Sequence, residues 1–176
     1  DGIYIGGGFP ESFFDEICSN YKLLNEINDR VRSGLPVYAE CGGLIYLSEY
    51  AHFKGKRYKL AGVLPFEIGF QNNPVGYGYV NLKSRCQSRW YDNNTSIKAH
   101  EFHYSKPLFE KKIKQNSSSN SSSERFQFDV TRGYGIDGKN DGILHQNVLA
   151  SFSHMHSSAN PDWAKNFIEI ASEYRN

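Results

Sequence analysis

Cys41 is the residue in this sequence best placed to act as a nucleophile. The apolar segment 35–39 and Glu40 precede it, and Gly42 and Gly43 follow it. A nucleophile at a sharp turn between a buried strand and a helix is open to a substrate, and glycine neighbours let substrate and main chain approach closely. The N–H groups and the dipole at the start of the helix would also favour the thiolate. The alternative is a buried structural cysteine beside a Gly-Gly turn, because cysteine is among the most buried residue types.

Three consecutive glycines, residues 6–8, are the second chemical feature. They follow the short apolar segment 2–5, so they could aim main-chain N–H groups into a cavity, as an anion or oxyanion site requires. A nucleotide phosphate loop is disfavoured because no Gly-Lys-Ser/Thr sequence follows. Beside a cysteine on a neighbouring parallel strand, the glycines are better interpreted as an oxyanion hole.

A cysteine nucleophile also needs a base. His154 follows the strand-like segment 148–152, at the kind of strand end where α/β active sites form. Glu101 and His103 lie two residues apart in a second strand-like segment, so strand alternation places them on one face. A metal site is a weaker hypothesis, because no histidine spacing matches a zinc pattern. The six histidines are His52, His100, His103, His145, His154 and His156.

The elements that must position these residues form an α/β pattern. Strand, helix, strand, tight turn and helix follow one another in the first fifty residues, an order typical of parallel strands. Later segments alternate apolar and polar residues, which predicts antiparallel strands with one solvent-facing side. The predicted strands are 2–5, 35–39, 75–79, 126–130 and 141–152, and the predicted helices are 11–33, 44–50 and 161–174.

Composition excludes several classes of protein. The chain has 176 residues, enough for one domain with a sizeable core, and 20 Lys+Arg against 19 Asp+Glu, which disfavours nucleic-acid binding. No segment is long and apolar enough to predict a transmembrane helix. Cys18, Cys41 and Cys86 suggest neither a disulfide framework nor a metal motif, so we expect a reducing, cytoplasmic setting. Residues 111–124, rich in Ser and Asn, are predicted to be a disordered insertion.

Four motifs of the sequence belong together: DGIYIGGGFPE (1–11), PVYAECGGL (36–44), HEFHYS (100–105) and ASFSHMH (150–156), the last followed by Asn160-Pro161. They resemble the cobyrinic acid a,c-diamide synthase family, occur in the family's order and cover nearly the whole chain except the Ser/Asn tract. The resemblance is to the C-terminal class I glutamine amidotransferase domain of the CobB/CobQ type. It implies one such domain over residues 1–176, part of a longer protein whose N-terminal ATP-binding synthase domain is absent here.

The resemblance implies an α/β fold: a three-layer, flavodoxin-like class I glutaminase with a mixed, mainly parallel central sheet and an antiparallel extension. In this family Cys41 would attack the carboxamide of glutamine, form a thioester and release ammonia. His154 would act first as the base and then as the acid. Main-chain N–H groups of Gly7, Gly8 and Gly42 would hold the oxyanion.

One position departs from the wider class I pattern. A glutamate usually lies two residues after the catalytic histidine, and here that residue is His156. His154 would therefore act in a dyad or with a partner that the sequence does not identify. Glu101, His103, Tyr104 and His156 itself are candidates for substrate contact or support.

The resemblance also implies partners. Ammonia would pass to the ATP-binding domain, where ATP and Mg²⁺ would activate the a and c carboxylates of cobyrinate in cobalamin biosynthesis. We expect no cofactor or metal in this chain; its expected partners are glutamine, cobyrinate at the interface with the synthase domain, and a second copy in a homodimer. Two alternatives stay open: a glutaminase that serves nickel-sirohydrochlorin or cobyric acid synthesis, and a catalytically silent α/β binding module. Aromatic residues that could face a tetrapyrrole are Tyr77, Tyr79, Phe102 and Tyr104.

Overall fold

The computed structural model of the protein describes residues 1–109 and 126–175, so the predicted insertion at 111–124 lies outside the described residues. The helices are α1 (Phe14–Ser19), α2 (Tyr21–Arg32), α3 (Gly42–Leu47) and α4 (Asp162–Arg175), with a 3-10 turn at Pro10–Ser12. The strands are β1 (Ile3–Ile5), β2 (Val37–Glu40), β3 (Ser48–Phe53), β4 (Lys56–Lys59), β5 (Leu64–Phe70), β6 (Gly76–Ser84), β7 (Ser96–His103), β8 (Ser105–Leu108), β9 (Phe126–Arg132), β10 (Asn140–His145) and β11 (Val148–Ser151). In these ranges no helix is both long and apolar enough to cross a membrane.

Two sheets form the frame of the molecule. The larger has the order β1-β2-β11-β10-β9-β6-β7, and the smaller has the order β4-β3-β5-β8. The prediction of a mixed sheet with an antiparallel extension is confirmed. The antiparallel share is larger than predicted, since only β1–β2 and β2–β11 pair in parallel in the larger sheet as described. Parallel neighbours need long crossovers, usually helical, and between α3 and α4 the described chain has no helix. Within this stretch β3 and β5 of the smaller sheet still pair in parallel, with β4 in the connection between them.

Three predicted elements are interrupted or end earlier in the structure, while the strand predicted over 75–79 extends further, as β6, to Ser84. The helix predicted over 11–33 breaks at Asn20, whose side chain accepts a hydrogen bond from the Leu23 N–H and so caps α2. The helix predicted over 44–50 ends at Leu47, because the following residues pair with β4 and β5. The strand predicted over 141–152 is a hairpin of β10 and β11, with Gln146 in its turn at a positive φ of 52°.

Strand β2 of the larger sheet is covered on both faces. Val37 and Ala39 of β2 belong to a core cluster that includes residues of α1, α2 and α3. Tyr38, which alternates with them, belongs to a second cluster with Ile170 of α4, against which Trp163 and Phe167 pack. Strand alternation therefore sends successive side chains of β2 into two different layers, which accounts for a strand that is buried on both sides.

The parallel strands determine where chemistry can occur. Because β1, β2 and β11 run in the same direction, their carboxyl ends lie at one edge of the sheet. The loop of residues 6–8 follows β1, Cys41 follows β2, and His154 comes three residues after β11 ends. The fold thus gathers the predicted nucleophile, base and glycine loop at a single edge.

Candidate active site

Cys41 lies at a strained turn between β2 and α3. Its φ and ψ are 45° and −99°, a sparsely populated conformation for a residue with a Cβ. The Cys41 N–H donates a 2.7 Å hydrogen bond to the Ser151 carbonyl oxygen, which ties the turn to the end of β11. Its Sγ lies 3.7 Å from the Phe102 carbonyl oxygen. Strain of this kind persists only where the surrounding structure enforces it, and it clusters at functional sites.

The glycine loop packs directly against the start of α3. A Cβ on Gly42 would lie 2.6 Å from the Gly8 carbonyl oxygen, and a Cβ on Gly43 would overlap the Ile5 carbonyl oxygen. A Cβ on Gly7 would overlap the Cε1 atom of the His154 ring. The absence of side chains at these positions is therefore what lets the loop, the turn and the imidazole come together.

His154 is held in place by its main chain. It forms an isolated bridge with His100 of β7, in which the His154 N–H and carbonyl make hydrogen bonds of 2.7 and 3.1 Å. Its ring contacts two acidic groups: hydrogen bonds with the Cys41 side chain and with Glu40 raise the pKa of His154 to about 10, against the opposing effect of burial. The ring favours the imidazolium form beside the sulfur, which is the form that can protonate a leaving amine.

Glu40 is a site residue that sequence reasoning missed. The sequence analysis noted it only as the neighbour of Cys41, yet its Oε2 lies 3.5 Å from the His154 Nδ1. The carboxylate is 4% exposed, and it accepts hydrogen bonds from the Met155 N–H at 3.1 Å and the Tyr4 hydroxyl at 3.2 Å. The available signal was a charged residue at the end of an otherwise apolar strand, which rarely occurs without a partner.

Glu101 and His103 lie in the interior, on one face of β7 as strand alternation predicted. Glu101 accepts 2.7 Å hydrogen bonds from the N–H groups of Tyr134 and Gly135, and its Oε2 is 3.6 Å from the His103 Nε2. Burial alone would raise the pKa of Glu101, but His103 and these N–H groups outweigh it and lower the pKa. Glu101 and His103 thus support β7 against the connection after β9. The carboxylate that faces His154 is that of Glu40 and not that of Glu101.

The two remaining candidates contact neighbours in their own segments of the chain. The half-buried Tyr104 packs its ring edge against Phe102, with 5.6 Å between the centroids. His156 is exposed, and its Nδ1 hydrogen-bonds the Ser158 hydroxyl at 2.7 Å. The structure therefore gives His156 a partner in its own loop.

Asp141 is a second residue that sequence reasoning missed. It is fully buried in β10, and it accepts hydrogen bonds from the N–H groups of Gly142, Phe152 and Ser153 and from the Ser153 hydroxyl. Burial raises the pKa of Asp141 despite these donors. The carboxyl group fixes the segment that leads from β11 to His154.

The chain matches the family of CobB/CobQ-like glutamine amidotransferase domains over residues 1–162. It belongs to this family. The cobyrinate a,c-diamide synthase of Magnetococcus marinus is 44% identical over 164 residues, 93% of this chain and 33% of that protein. The enzyme of the same name from Archaeoglobus fulgidus is 39% identical over 171 residues, 97% of this chain and 35% of that protein. The CobB/CobQ-like domain thus spans about a third of the length of these curated relatives.

Solved structures support the same fold. A crystal structure of a glutamine amidotransferase has a TM-score of 0.63 at 18% identity, covering 97% of this chain and 79% of that one. A putative GMP synthase component from Thermoplasma acidophilum has a TM-score of 0.57 at 15% identity, covering 99% of this chain and 74% of that one. At this identity the likeness is one of fold, and it confirms the predicted class I glutaminase architecture.

The described part of this CobB/CobQ-like domain has a cleft and a larger cavity. An open, mostly apolar cleft of about 340 Å³ runs along the glycine loop and the start of α3, with Phe9, Phe13 and Tyr46 in its wall. A larger cavity of about 500 Å³ lies between residues 87–97 and the start of α4, and none of the predicted site residues lines it. The candidate active site is therefore identified by the side chains at the edge of the larger sheet and not by the size of a cavity. Among the described residues, no three His, Cys, Asp or Glu side chains converge as metal ligands, and all three cysteines are free thiols.

Replacing Asp141 with alanine should destabilise the CobB/CobQ-like domain by about 2–4 kcal/mol, because three main-chain N–H groups would lose their acceptor in the interior. Urea unfolding followed by circular dichroism measures the change. Asp137→Ala is the matched control: Asp137 also accepts from main-chain N–H groups, those of Lys139 and Asn140, but in an exposed turn. Its loss should cost less than about 1 kcal/mol. Equal losses in the two variants would contradict the role given to Asp141.

Proposed function

We propose that this CobB/CobQ-like domain hydrolyses glutamine. The observation that carries the proposal is the meeting of Cys41, at a strained turn, with the His154 imidazole and a glycine loop at the carboxyl edge of parallel strands. A thiolate beside an imidazolium is an activated nucleophile with its own acid. The remaining exposure of the His154 ring, 31% of its side chain, leaves the pair open to a small substrate.

The proposed reaction has two halves. The Cys41 sulfur attacks the side-chain carbonyl carbon of glutamine, the His154 imidazolium gives its proton to the departing nitrogen, and the C–N bond breaks to release ammonia. Water then attacks the resulting γ-glutamyl thioester while His154 takes a proton from it. The C–S bond breaks, which yields glutamate and returns Cys41 and His154 to the thiolate and imidazolium forms in which they began.

The proposed oxyanion hole consists of main-chain N–H groups around the sulfur. Gly8 and Gly42 lie so close together that a side chain on Gly42 would not fit between them, and Gly7 lies against the His154 imidazole. In comparable enzymes, loss of one such donor costs roughly 3–4 kcal/mol of transition-state stabilisation. Main-chain donors are suited to this role because the fold fixes them before the substrate arrives.

We further propose that the ammonia serves ATP-dependent amidation of the a and c carboxylates of cobyrinate. The names of the relatives from Magnetococcus marinus and Archaeoglobus fulgidus support this substrate. ATP and Mg²⁺ belong, in this proposal, to the other two thirds of those proteins. Ammonia in neutral water is mostly ammonium, so the proposal requires a protected path from Cys41 to the amidation site.

An aromatic surface beside Cys41 supports the proposal that this domain contacts the ATP-binding region and its corrinoid substrate. Tyr77 and Tyr79 are 77% and 74% exposed on one face of β6, opposite Phe102 and His100 of β7. The Phe102 ring contacts both Tyr77 and Phe9, and its carbonyl oxygen is the group that lies near the Cys41 sulfur. Neighbouring exposed aromatic side chains are a feature of binding surfaces, and here they border the proposed source of ammonia.

The test of the proposal is labelling with the electrophilic glutamine analogue diazo-oxo-norleucine. We expect one covalent adduct on Cys41, located by mass spectrometry of peptides, protection by excess glutamine, and no adduct in Cys41→Ser. Cys18 and Cys86 are internal controls because both are free thiols. Adducts confined to those two thiols, or no adduct at all, would favour the silent binding module.

A further inference from the structure

We infer that Glu40 is the positioning residue of His154, and that it orients the imidazole from the strand that carries the nucleophile. The inference rests on the proposed function, because orientation of His154 matters only if His154 exchanges protons with Cys41. It accounts for the departure at position 156, where a histidine replaces the usual glutamate. It also gives the buried carboxylate at the end of β2 a role.

The first step is the geometry of the imidazole. The Glu40 Oε2 faces the His154 Nδ1 at 3.5 Å. A carboxylate on that side favours a proton on Nδ1, so Nε2 is left as the nitrogen that exchanges a proton with the sulfur. The usual arrangement of base and orienting acid in triads has the same order of groups.

The second step is that Glu40 is itself fixed. Its Oε1 accepts the Met155 N–H at 3.1 Å, and its Oε2 accepts the Tyr4 hydroxyl at 3.2 Å. Burial, and then the Glu40 charge, raise the pKa of Tyr4 to about 12, so the phenol keeps its proton and remains a donor. Every partner of the carboxylate therefore donates, and Met155 follows His154 directly in the chain. One acid side chain thus holds both the ring and the main chain next to it.

The third step explains how adjacent residues reach the same imidazole. In a regular strand Glu40 and Cys41 would point to opposite faces. The turn at Cys41, with its φ of 45°, breaks that alternation and redirects the sulfur. Both side chains can then contact His154, and no acid is needed after His154 in sequence.

The fourth step is the charge around the ring. The groups that face His154 are Cys41, Glu40 and the His100 ring, whose centroid is 6.4 Å away. Behind Glu40 stand the phenols of Tyr4, Tyr38 and Tyr91, which interact with its carboxylate. Within this set Glu40 is the one carboxylate, so its removal should have a specific effect on the titration of His154.

Glu40→Gln is the test. The amide has the same size but no charge, and its NH₂ group would donate to Nδ1 and favour the wrong tautomer. We expect labelling of Cys41 by diazo-oxo-norleucine to slow by about 10- to 100-fold. We also expect the pKa of His154, followed by nitrogen NMR of the ring, to fall, since a carboxylate favours the imidazolium. The alkaline limb of the labelling rate should shift to lower pH with it.

Two further variants separate orientation from stability. Glu40→Asp keeps the charge, so its labelling rate and its His154 pKa should lie between those of Glu40→Gln and the wild type. It is also the variant to measure if Glu40→Gln fails to fold. Glu49→Gln changes an exposed glutamate of β3 and should alter neither. A folded Glu40→Gln protein in which His154 titrates as in the wild type would overturn the inference, even with Cys41 still labelled. Absence of labelling in the wild type would instead overturn the proposed function.

Discussion

Replacing His154 with alanine should slow glutamine hydrolysis by about 10²- to 10⁴-fold, the usual contribution of a positioned acid and base. His154 serves both halves of the proposed reaction, because it protonates the departing nitrogen and then activates water. Its pKa of about 10 means that the imidazolium is the resident form at neutral pH. Release of glutamate, measured under saturating glutamine, gives the rate.

Three controls show whether the loss in His154→Ala comes from the missing imidazole. Because the His154 side chain is 31% exposed, removing it opens a hole that added imidazole can enter, and imidazole should restore part of the rate. His52→Ala removes a ring that pairs with Glu67 in the smaller sheet and should leave the rate unchanged. Joined to the other two thirds of a relative, in which we propose that amidation occurs, the His154→Ala protein should still amidate with ammonium as the nitrogen source. A parallel loss of that activity would instead place His154 in the fold or in the amidation site.

The meeting of Cys41, His154 and the glycine loop could be predicted because it depends on local features. Each residue follows an apolar strand-like segment, and parallel strands bring their carboxyl ends to one edge. No long-range pairing has to be known beyond the order of the parallel strands. The resemblance of the motifs to a known family implied that these residues act together, and the strand order observed in the structure brings them to one edge.

The support around these residues could not be predicted, because it depends on which distant groups face each other. β2 is buried on both faces, so alternation does not reveal that Glu40 lies on the same side as Tyr4. Glu101 finds its donors in the connection after β9, some thirty residues away, and Asp141 finds its donors across a hairpin whose turn the sequence analysis missed. These contacts are tertiary, and periodicity within a segment carries no information about them.

Gly7→Ala should slow labelling of Cys41 by about 10²-fold or more, since a misplacement of roughly 1 Å at a reacting group can cost that much. The added Cβ would overlap Cε1 of the His154 ring and lie 2.8 Å from its Nδ1. The ring is the end of a partly exposed side chain, so it can move aside at little cost to the fold. Rate and stability should therefore separate: the urea midpoint should stay near that of the wild type while the labelling rate collapses.

Gly6→Ala is the matched control for that steric argument. Its Cβ would lie 3.6 Å from the Tyr4 ring, an ordinary contact, and neither glycine has a positive φ that would strain an alanine. Equal slowing in both variants would mean that loop flexibility, and not the contact with His154, sets the rate. The decisive comparison is Gly7→Ala in the His154→Ala background. If the methyl group acts only by displacing the imidazole, it has nothing left to displace, and the double variant should react no more slowly than His154→Ala alone.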